Sequence, residues 1–355
     1  MKKLSLKQRL GLELHRQVVK ERRRTHPLRQ LFWECTWRCN LSCRHCGSDC
    51  KSASLIPDMP AQDFLNVIDS ILPHVDPHVV SIIITGGEPL MRKDLEHVGL
   101  ELYKREFPWG LVTNGMLLTK ERLSSLRKAG LHNITISLDG LEDNHNWMRG
   151  NRQSFLRAYD AIKRVAAVPD LNFDVVTCVN RRSLPELDEI KRLLVAAGVK
   201  RWRLFTIFPS GRAAQYPEFE LMGEETERLM RFITETRQEG QIKASFCCEG
   251  FMGSYEGKVR DSFFDCQAGV SVASVLLDGS IGACASIRAD YSQGNIYKDN
   301  FWDVWQNKYQ IYREREWMKT GACANCSFWR YCEGNGIHLR DSDGNLMHCH
   351  LSKTN

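Results

Sequence analysis

The stretch LFWECTWRCNLSCRHC, residues 31–46, runs from an aromatic and aliphatic segment directly into three cysteines. Its first seven residues have the composition of a buried β-strand. Cys39, Cys43 and Cys46 follow with the spacing CxxxCxxC, so we expect them on the loop that leaves the carboxyl end of this strand. The rest of the chain decides whether the strand belongs to a parallel sheet.

Five further strand candidates follow, and segments of helical length and period separate them. The strand candidates start at residues 79, 109, 133, 172 and 201, and the helical segments include 59–75, 120–130, 154–168 and 183–198. Repeated βα units require parallel strands joined by right-handed crossovers. Six units predict an α/β fold with a partial (β/α)6 TIM-like barrel. Active sites of such barrels lie at the carboxyl ends of the strands, which is where the cysteines fall.

The composition changes at about residue 240, where short strands, glycine-rich turns and cysteines replace the long helices. We therefore expect three parts: a basic N-terminal helical arm at residues 1–29, the barrel at residues 30–240 and a small cysteine-rich domain at residues 241–355. The arm is expected to be an amphipathic helix. Its leucines should lie partly on one side (Leu4, Leu6, Leu10, Leu12 and Leu14).

The charge and composition predict a soluble, cytoplasmic globular protein with no nucleic-acid or membrane partner. Residues 1–30 carry a net charge of +8 and the remainder −2, so the overall +6 belongs to the arm. No apolar run reaches the roughly 18 to 20 residues that span a bilayer, and no signal peptide is apparent. In a reducing compartment, the fourteen cysteines are expected to bind metal rather than form disulfides.

The spacing of Cys39, Cys43 and Cys46 favours an iron–sulfur cluster. Three thiolates can hold three corners of a [4Fe–4S] cluster and leave the fourth iron open. A structural zinc ion is the alternative, and it would need Cys35 or Cys50 as its fourth ligand.

The segment CNLSCRHC resembles the CxxxCx(aromatic)C signature of the radical S-adenosylmethionine (SAM) enzymes, with His45 at the aromatic position. The resemblance extends from about residue 31 to the end of the chain. It implies that Cys39, Cys43 and Cys46 bind a [4Fe–4S] cluster whose open iron chelates SAM. It further implies reductive cleavage of SAM to a 5′-deoxyadenosyl radical, which abstracts a substrate hydrogen, with a flavodoxin- or ferredoxin-type protein as reductant.

Other motifs of the same family follow the later strands. TGGEPLMR, residues 85–92, resembles the GGEP motif, and SLDG, residues 137–140, resembles a segment that contacts the SAM carboxylate and ribose. Arg149 suits the carboxylate because a guanidinium can pair with it through two hydrogen bonds. The resemblance implies these contacts to SAM: His45, Gly86, Gly87, Glu88, Asn114, Ser137 and Arg149.

The C-terminal cysteines resemble a SPASM-type extension, which typically holds two auxiliary [4Fe–4S] clusters. One complete ligand set is implied: Cys323, Cys326, Cys332 and Cys349. The other would use Cys266, Cys284 and an upstream cysteine, Cys248 or Cys247. Its fourth position is occupied by Gly336. That cluster could have an open iron, use His338 instead, or be absent, so we expect one or two auxiliary clusters. A structural zinc is the alternative for the complete set.

The family resemblance predicts a radical SAM enzyme that modifies a peptide or protein side chain, by peptide maturation or formylglycine-type oxidation. A tetrapyrrole or other small-molecule radical SAM enzyme and a non-catalytic iron–sulfur scaffold are the alternatives. No residue stands out as a catalytic acid or base. The basic arm is a candidate for holding an acidic leader peptide.

Overall fold

The computed structural model describes residues 4–247 and 249–351. Its strands form one sheet in the order β10-β9-β8-β1-β2-β3-β4-β5-β6-β7. The strands are β1 (Gln30–Glu34), β2 (Ser81–Thr85), β3 (Trp109–Thr113), β4 (Leu131–Ser137), β5 (Asn172–Val179), β6 (Arg201–Thr206), β7 (Lys243–Phe246), β8 (Val272–Val275), β9 (Ser280–Gly282) and β10 (Gly294–Asn295). Strands β1 to β7 are all parallel, as the repeated βα units predict.

The described helices are α1 (Leu6–Thr25), α2 (Ala61–Ile71), α3 (Leu95–Lys104), α4 (Lys120–Lys128), α5 (Glu142–Arg149), α6 (Ser154–Ala166), α7 (Leu187–Ala196), α8 (Glu224–Glu239), α9 (Phe301–Asn307), α10 (Gln310–Arg313) and α11 (Trp329–Cys332). Helices α2 to α8 lie between consecutive strands from β1 to β7, while α1 precedes β1 and α9 to α11 follow β10. Among the described helices, none has the length and apolar character to cross a membrane.

The partial barrel is confirmed, and its sheet continues beyond the six predicted strands. β7 pairs with β6, and β8 pairs with β1. These additions cover backbone groups that would otherwise be unpaired at the two edges of the barrel. The region after residue 240 therefore extends the same sheet and contributes Trp305 and Tyr309 to the barrel's hydrophobic core. The boundary at residue 240 stays a prediction.

The central strands are apolar on both faces because helices cover one face and the barrel interior lies on the other. In β2, Ile82 and Ile84 are fully buried, and Ile83 is buried as well. Helix α6 buries a continuous face that includes Ile162 and Val165. This packing fixes the strands, and so it fixes where their carboxyl ends meet.

Helix α1 begins at Ser5, which forms a capping box with Gln8. Its buried side contains Leu12 and Val19, and Arg22 pairs with Asp265 at 2.6 Å. The predicted leucines divide between two sides of the helix. Leu12 is buried, whereas Leu6, Leu10 and Leu14 share the exposed face with Val18, at 76%, 60%, 71% and 52% exposure.

Candidate active site

A cavity of about 140 Å³ opens at the carboxyl ends of β1 to β4. It brings together every SAM or cluster residue predicted in the first half of the chain except Glu88. The predicted residues that line it are Cys39, Cys43, His45, Cys46, Gly86, Gly87, Asn114, Ser137 and Arg149. Further lining residues are Leu41, Cys50, Thr85, Val112, Thr113 and Arg212. Side chains that are distant in sequence thus converge on one space large enough to receive a ligand group.

The glycine pair brings the β2 loop against the β1 loop. Gly86 has a φ of +139°, and a Cβ there would clash with the Thr36 carbonyl oxygen. Gly87 donates its N–H to that oxygen at 2.6 Å, and Glu88 donates its N–H to the Arg38 carbonyl at 2.9 Å. The absence of side chains at these glycines therefore lets the loop bearing the cysteines lie beside β2.

Glu88 is buried behind the cavity wall, where its carboxylate connects β2 to β3. Oε1 accepts from the Thr113 hydroxyl at 2.7 Å and Oε2 from the Asn114 N–H at 2.8 Å. Burial raises the pKa of Glu88, and these hydrogen bonds oppose the increase. In this arrangement Glu88 positions Asn114, whose side-chain amide donates to Asn40 at 2.8 Å.

A buried ion pair closes one side of the cavity. Arg149, at the end of α5, donates from Nε to Asp139 Oδ2 at 2.6 Å, and its NH1 lies 3.7 Å from Cys43 Sγ. Burial alone would raise the pKa of Asp139, but the nearby Arg149 and His45 lower it to about 2. The carboxylate is therefore ionised at neutral pH and holds Arg149 beside the thiol.

His45 lies beside the ion pair of Arg149 and Asp139, with its Nε2 3.8 Å from Asp139 Oδ2. Burial lowers the pKa of His45 to about 4, so the ring is neutral at pH 7. A neutral ring with an apolar face is suited to contact with another aromatic ring, as the assignment to adenine requires.

The three thiols differ in their surroundings. Burial raises the pKa of Cys39 to about 12 and also raises that of Cys43, whereas a hydrogen bond from Cys50 lowers that of Cys46. Metal binding requires thiolates, so it must displace protons from Cys39 and Cys43. Cys50, which the zinc alternative could use as its fourth ligand, lines the same cavity.

The thiols of the first cavity are not grouped as closely as the ligands of a single zinc ion. Four sulfurs around one zinc at about 2.3 Å lie roughly 3.8 Å apart. Among the described residues, the three-residue set with all donor atoms within 4.8 Å of one another is His45, Asp139 and Cys178, and the proposed thiol ligands form no such set. Asp139 in that trio is already neutralised by Arg149, so the trio is poorly suited to a cation.

The four later cysteines also lie together. Burial raises the pKa of Cys332, and the neighbouring thiols of Cys349 and Cys323 raise it further. Arg340 donates to Cys323 Sγ at 3.4 Å. The four thiols are thus close enough to affect one another's pKa, and a buried arginine contacts one of them.

The other C-terminal set is partly assembled. Burial raises the pKa of Cys284, and the neighbouring Cys266 adds to the increase. Cys248 lies outside the described residues. His338 is buried, with its pKa lowered to about 4 by burial, and its ring centroid lies 5.1 Å from that of Phe208. It is therefore neutral at pH 7, the form in which histidine binds metal.

Sequence reasoning missed two charged residues of the first cavity. Asp139 lies inside SLDG, and an acidic residue just after a strand end was the available signal. Arg212 follows β6 in an irregular loop with no motif around it. Its side chain reaches the cysteine loop only in the folded chain, donating from Nε to the Cys43 carbonyl at 2.7 Å.

A partial parallel barrel with three thiols at the end of its first strand defines a class of iron–sulfur enzymes built around an open cluster. A sequence-family model described as the radical SAM superfamily matches residues 33–194. A second, the SPASM iron–sulfur cluster-binding domain, matches residues 266–327. The chain belongs to the radical SAM superfamily and carries a SPASM domain.

Two kinds of curated relative match most of the chain. An AdoMet-dependent heme synthase from Oleidesulfovibrio alaskensis is 26% identical over 331 residues, covering 86% of this chain and 82% of the relative. The mycofactocin maturase MftC from Mycolicibacterium smegmatis is 28% identical over 318 residues, covering 86% and 76%. Among solved structures, Streptococcus suis SuiB bound to precursor peptide SuiA has a TM-score of 0.70 at 17% identity, covering 94% and 79%.

These comparisons agree with the cofactors expected from the sequence, namely SAM and [4Fe–4S] clusters, and with an enzyme. The likeness to SuiB concerns the fold. The relatives carry out different reactions, so their names leave the substrate of this chain to be argued from its own residues.

Proposed function

We propose that Cys39, Cys43 and Cys46 hold the SAM-binding cluster and that the enzyme modifies a side chain of a peptide or protein. The observation that carries the first part is the single cavity that contains these thiols and the predicted SAM contacts. When bound, the cluster supplies the electron that cleaves SAM and so starts hydrogen abstraction from the substrate.

The residues around the cavity bind, orient and exclude water. We assign the methionyl end of SAM to Gly86 and Gly87, with Glu88 supporting the loop from behind. Asn114, Ser137 and Arg149 are assigned to the carboxylate and ribose, and His45 to adenine. Arg149 is held by Asp139 and 92% buried, so a carboxylate that reached it would gain a strong, water-excluded pair.

The C-terminal cysteines are assigned to auxiliary clusters. One uses Cys323, Cys326, Cys332 and Cys349. The other uses Cys266, Cys284 and Cys248, with Gly336 at the position that lacks a thiol. We assign an open iron to this second cluster, with His338 as the replacement ligand or absence of the cluster as the alternatives.

A second cavity of about 660 Å³ opens at the amino-terminal ends of β1 to β7, and Val112 lines both cavities. Of the cations that line it, Arg203 is paired with Asp174 and Lys243 with Asp261. A volume of this size accommodates a small molecule. It lies at the end of the barrel opposite the thiols, so we do not assign the substrate to it.

A peptide substrate is supported by the exposed face of α1. Leu6, Leu10, Leu14 and Val18 recur every four residues and form one stripe on the helix. Such a stripe, together with the cationic residues of this helix, fits an amphipathic acidic peptide helix. The mycofactocin maturase relative is named for a maturation reaction, and the related fold of SuiB was solved with its precursor peptide.

A tetrapyrrole is the second candidate because heme synthases are among the relatives. This candidate makes no use of the α1 stripe.

The test is turnover by anaerobically reconstituted enzyme with dithionite and SAM. Formation of 5′-deoxyadenosine would be measured with short peptides encoded beside the gene and, separately, with iron-coproporphyrin III. A mass change in a peptide supports the first candidate, and a mass change in the porphyrin supports the second. If no 5′-deoxyadenosine forms with either kind of substrate, the SAM assignment is contradicted.

The α1 contact is tested by point substitutions, since the buried side of α1 is part of the core and its deletion would disturb folding. Leu10→Glu with Leu14→Glu should weaken peptide binding at least tenfold, about 1.4 kcal/mol, and leave SAM cleavage without peptide unchanged. Leu156→Glu, at a 54% exposed site on α6, is the matched control. If the native protein, the double variant and the Leu156→Glu control bind the peptide equally well, the proposed contact between the peptide and α1 is contradicted.

A further inference from the structure

The loop after β6 lies directly on the cysteine loop. Gly211 has a φ of +57°, and a Cβ there would lie 2.5 Å from the Gly47 carbonyl oxygen and 2.6 Å from that of Cys46. The next residue, Arg212, donates its backbone N–H to the Cys46 carbonyl at 2.9 Å. This close approach is possible only because residue 211 has no side chain.

The Arg212 side chain then contacts the cysteine loop on both sides of Cys46. Nε donates to the Cys43 carbonyl at 2.7 Å, and Nη1 donates to the Cys50 carbonyl at 3.0 Å. Nη1 also pairs with Asp49 at 2.7 Å. One guanidinium therefore fixes carbonyls on both sides of Cys46, a task for which its planar fork is suited and an ammonium is not.

Arg212 also brings a positive charge to the thiols. Its side chain is 14% exposed and lines the cavity, whereas Asp49 is 50% exposed and also lies 3.4 Å from Lys51. The charge of Asp49 is thus screened by solvent more than that of Arg212. A cation beside a cluster stabilises its reduced, more negative state.

We propose that Arg212 is a positioning residue that clamps the CxxxCxxC loop and raises the reduction potential of the cluster held there. The proposal rests on the ligand assignment to Cys39, Cys43 and Cys46. It gives Arg212 two separable roles: the hydrogen-bond fork retains the loop geometry, and the charge favours the added electron.

Two substitutions separate these roles in the reconstituted holoenzyme. Arg212→Gln removes both charge and fork. At a fixed potential it should lower the reduced-to-oxidised ratio of the cluster about tenfold, about 59 mV for a one-electron couple. Arg212→Lys keeps the charge and should stay near the native potential. Both variants should release iron to a chelator about tenfold faster than the native protein, because changes to the groups that hold a metal's ligands weaken metal sites by about 10 to 100-fold.

Arg237→Gln is the matched control. Arg237 also bridges a carbonyl (Ala244, 2.7 Å) and a carboxylate (Asp261, 2.7 Å), with a side chain that is 20% exposed, far from the cysteine loop. It should change neither the potential nor the iron release. Potential and iron release both at native values in Arg212→Gln would overturn the proposal.

Asp49→Asn provides a test that does not risk the fold, since Asp49 is half exposed. It leaves the Arg212 charge unopposed and should raise the potential, and a lowered or unchanged potential counts against the charge role. The potentiometric EPR signal of the native cluster is recorded first. If the native protein shows no such cluster, the ligand assignment to Cys39, Cys43 and Cys46 fails. If the native protein shows the cluster, the results for the Arg212 variants test only the proposed role of Arg212.

Discussion

The region around Cys39, Cys43 and Cys46 and the region of the C-terminal cysteines each have a buried arginine beside a thiol. They differ in the size of the cavity next to the thiols. Each places a buried arginine against a sulfur: Arg149 lies 3.7 Å from Cys43 Sγ, and Arg340 lies 3.4 Å from Cys323 Sγ. Arg149 otherwise pairs with a carboxylate and lines a cavity of about 140 Å³. Arg340 donates its other hydrogen bonds to backbone carbonyls, including that of Met318 at 3.0 Å.

The space beside the C-terminal cysteines is far smaller. The cavity that touches Cys266 and Cys332 measures about 20 Å³, which is room for about one water molecule. The larger of these two cavities therefore lies beside the first set of thiols. The comparison favours the first region as the one that receives a second ligand such as SAM.

The largest expected effect separates the two regions by activity. Cys43→Ala should reduce 5′-deoxyadenosine formation at least about a hundredfold, since even changes behind a metal ligand cost roughly 10 to 100-fold. Cys332→Ala should lose iron and retain SAM cleavage. The assay is chromatography of the reaction products. Cys35→Ala, in the same segment but outside the cavity, is the control, and equal losses in the Cys43 and Cys332 variants would erase the distinction.

The next effect compares glycines in the two regions. Gly86→Ala should destabilise the protein by about 4 kcal/mol, because a positive φ and a backbone clash add together. Gly321, just before Cys323, also has a positive φ of +51°, but a Cβ there would meet nothing within 4 Å. Gly321→Ala should cost about 1 kcal/mol. Denaturant unfolding measures both, and similar costs would contradict the close contact at Gly86.

A smaller effect concerns the ion pair at the first cavity. Asp139→Asn leaves Arg149 buried without its carboxylate and should cost about 3 kcal/mol of unfolding free energy, with weaker SAM binding. Asp261→Asn, which breaks pairs at a 57% exposed carboxylate, should cost less than about 1 kcal/mol. Denaturant unfolding and SAM titration compare the two. A cost for Asp139→Asn as small as that of the control would show that the pair contributes little.

The smallest effect is a pH dependence. His145 accepts the Asp139 N–H at 3.0 Å, and burial lowers the pKa of His145 from 6.5 to about 3. Below pH 6.5, His145 is protonated in the unfolded chain and stays neutral in the folded protein. The free energy of unfolding therefore falls by about 1.4 kcal/mol per pH unit as the pH drops. His145→Gln should reduce this slope between pH 6 and 4, and the exposed His78→Gln should not. An unchanged slope in His145→Gln contradicts the assignment.

The fold was largely predictable from the sequence because strand and helix periods repeat along residues 31–206. The extension of the sheet was not. β7 and β8 are four residues each, too short to show a period, and β8 joins β1 across more than 200 residues of chain. The exposed stripe on α1 also escaped prediction, since a leucine-rich helix gives no sign of which side will be covered.

The cavity residues were predictable where a motif marks them. Cys39, Gly86 and Arg149 each follow a recognisable segment, and the structure brings them together. Glu88 shows the limit, because the motif names the residue while the fold determines that its carboxylate faces Thr113 and Asn114. Arg212 has no local signal at all, since its role arises from a contact between two loops that are about 160 residues apart.

EPR of the reduced enzyme with and without SAM tests the central claim most directly, namely that the thiols of the first cavity alone hold a SAM-binding cluster. In Cys332→Ala, addition of SAM should still change the spectrum of the remaining signal. In Cys43→Ala, the C-terminal signal should remain and SAM should leave it unaltered. A SAM-dependent change in Cys43→Ala, or its loss in Cys332→Ala, would place SAM at the other cysteines and contradict the account.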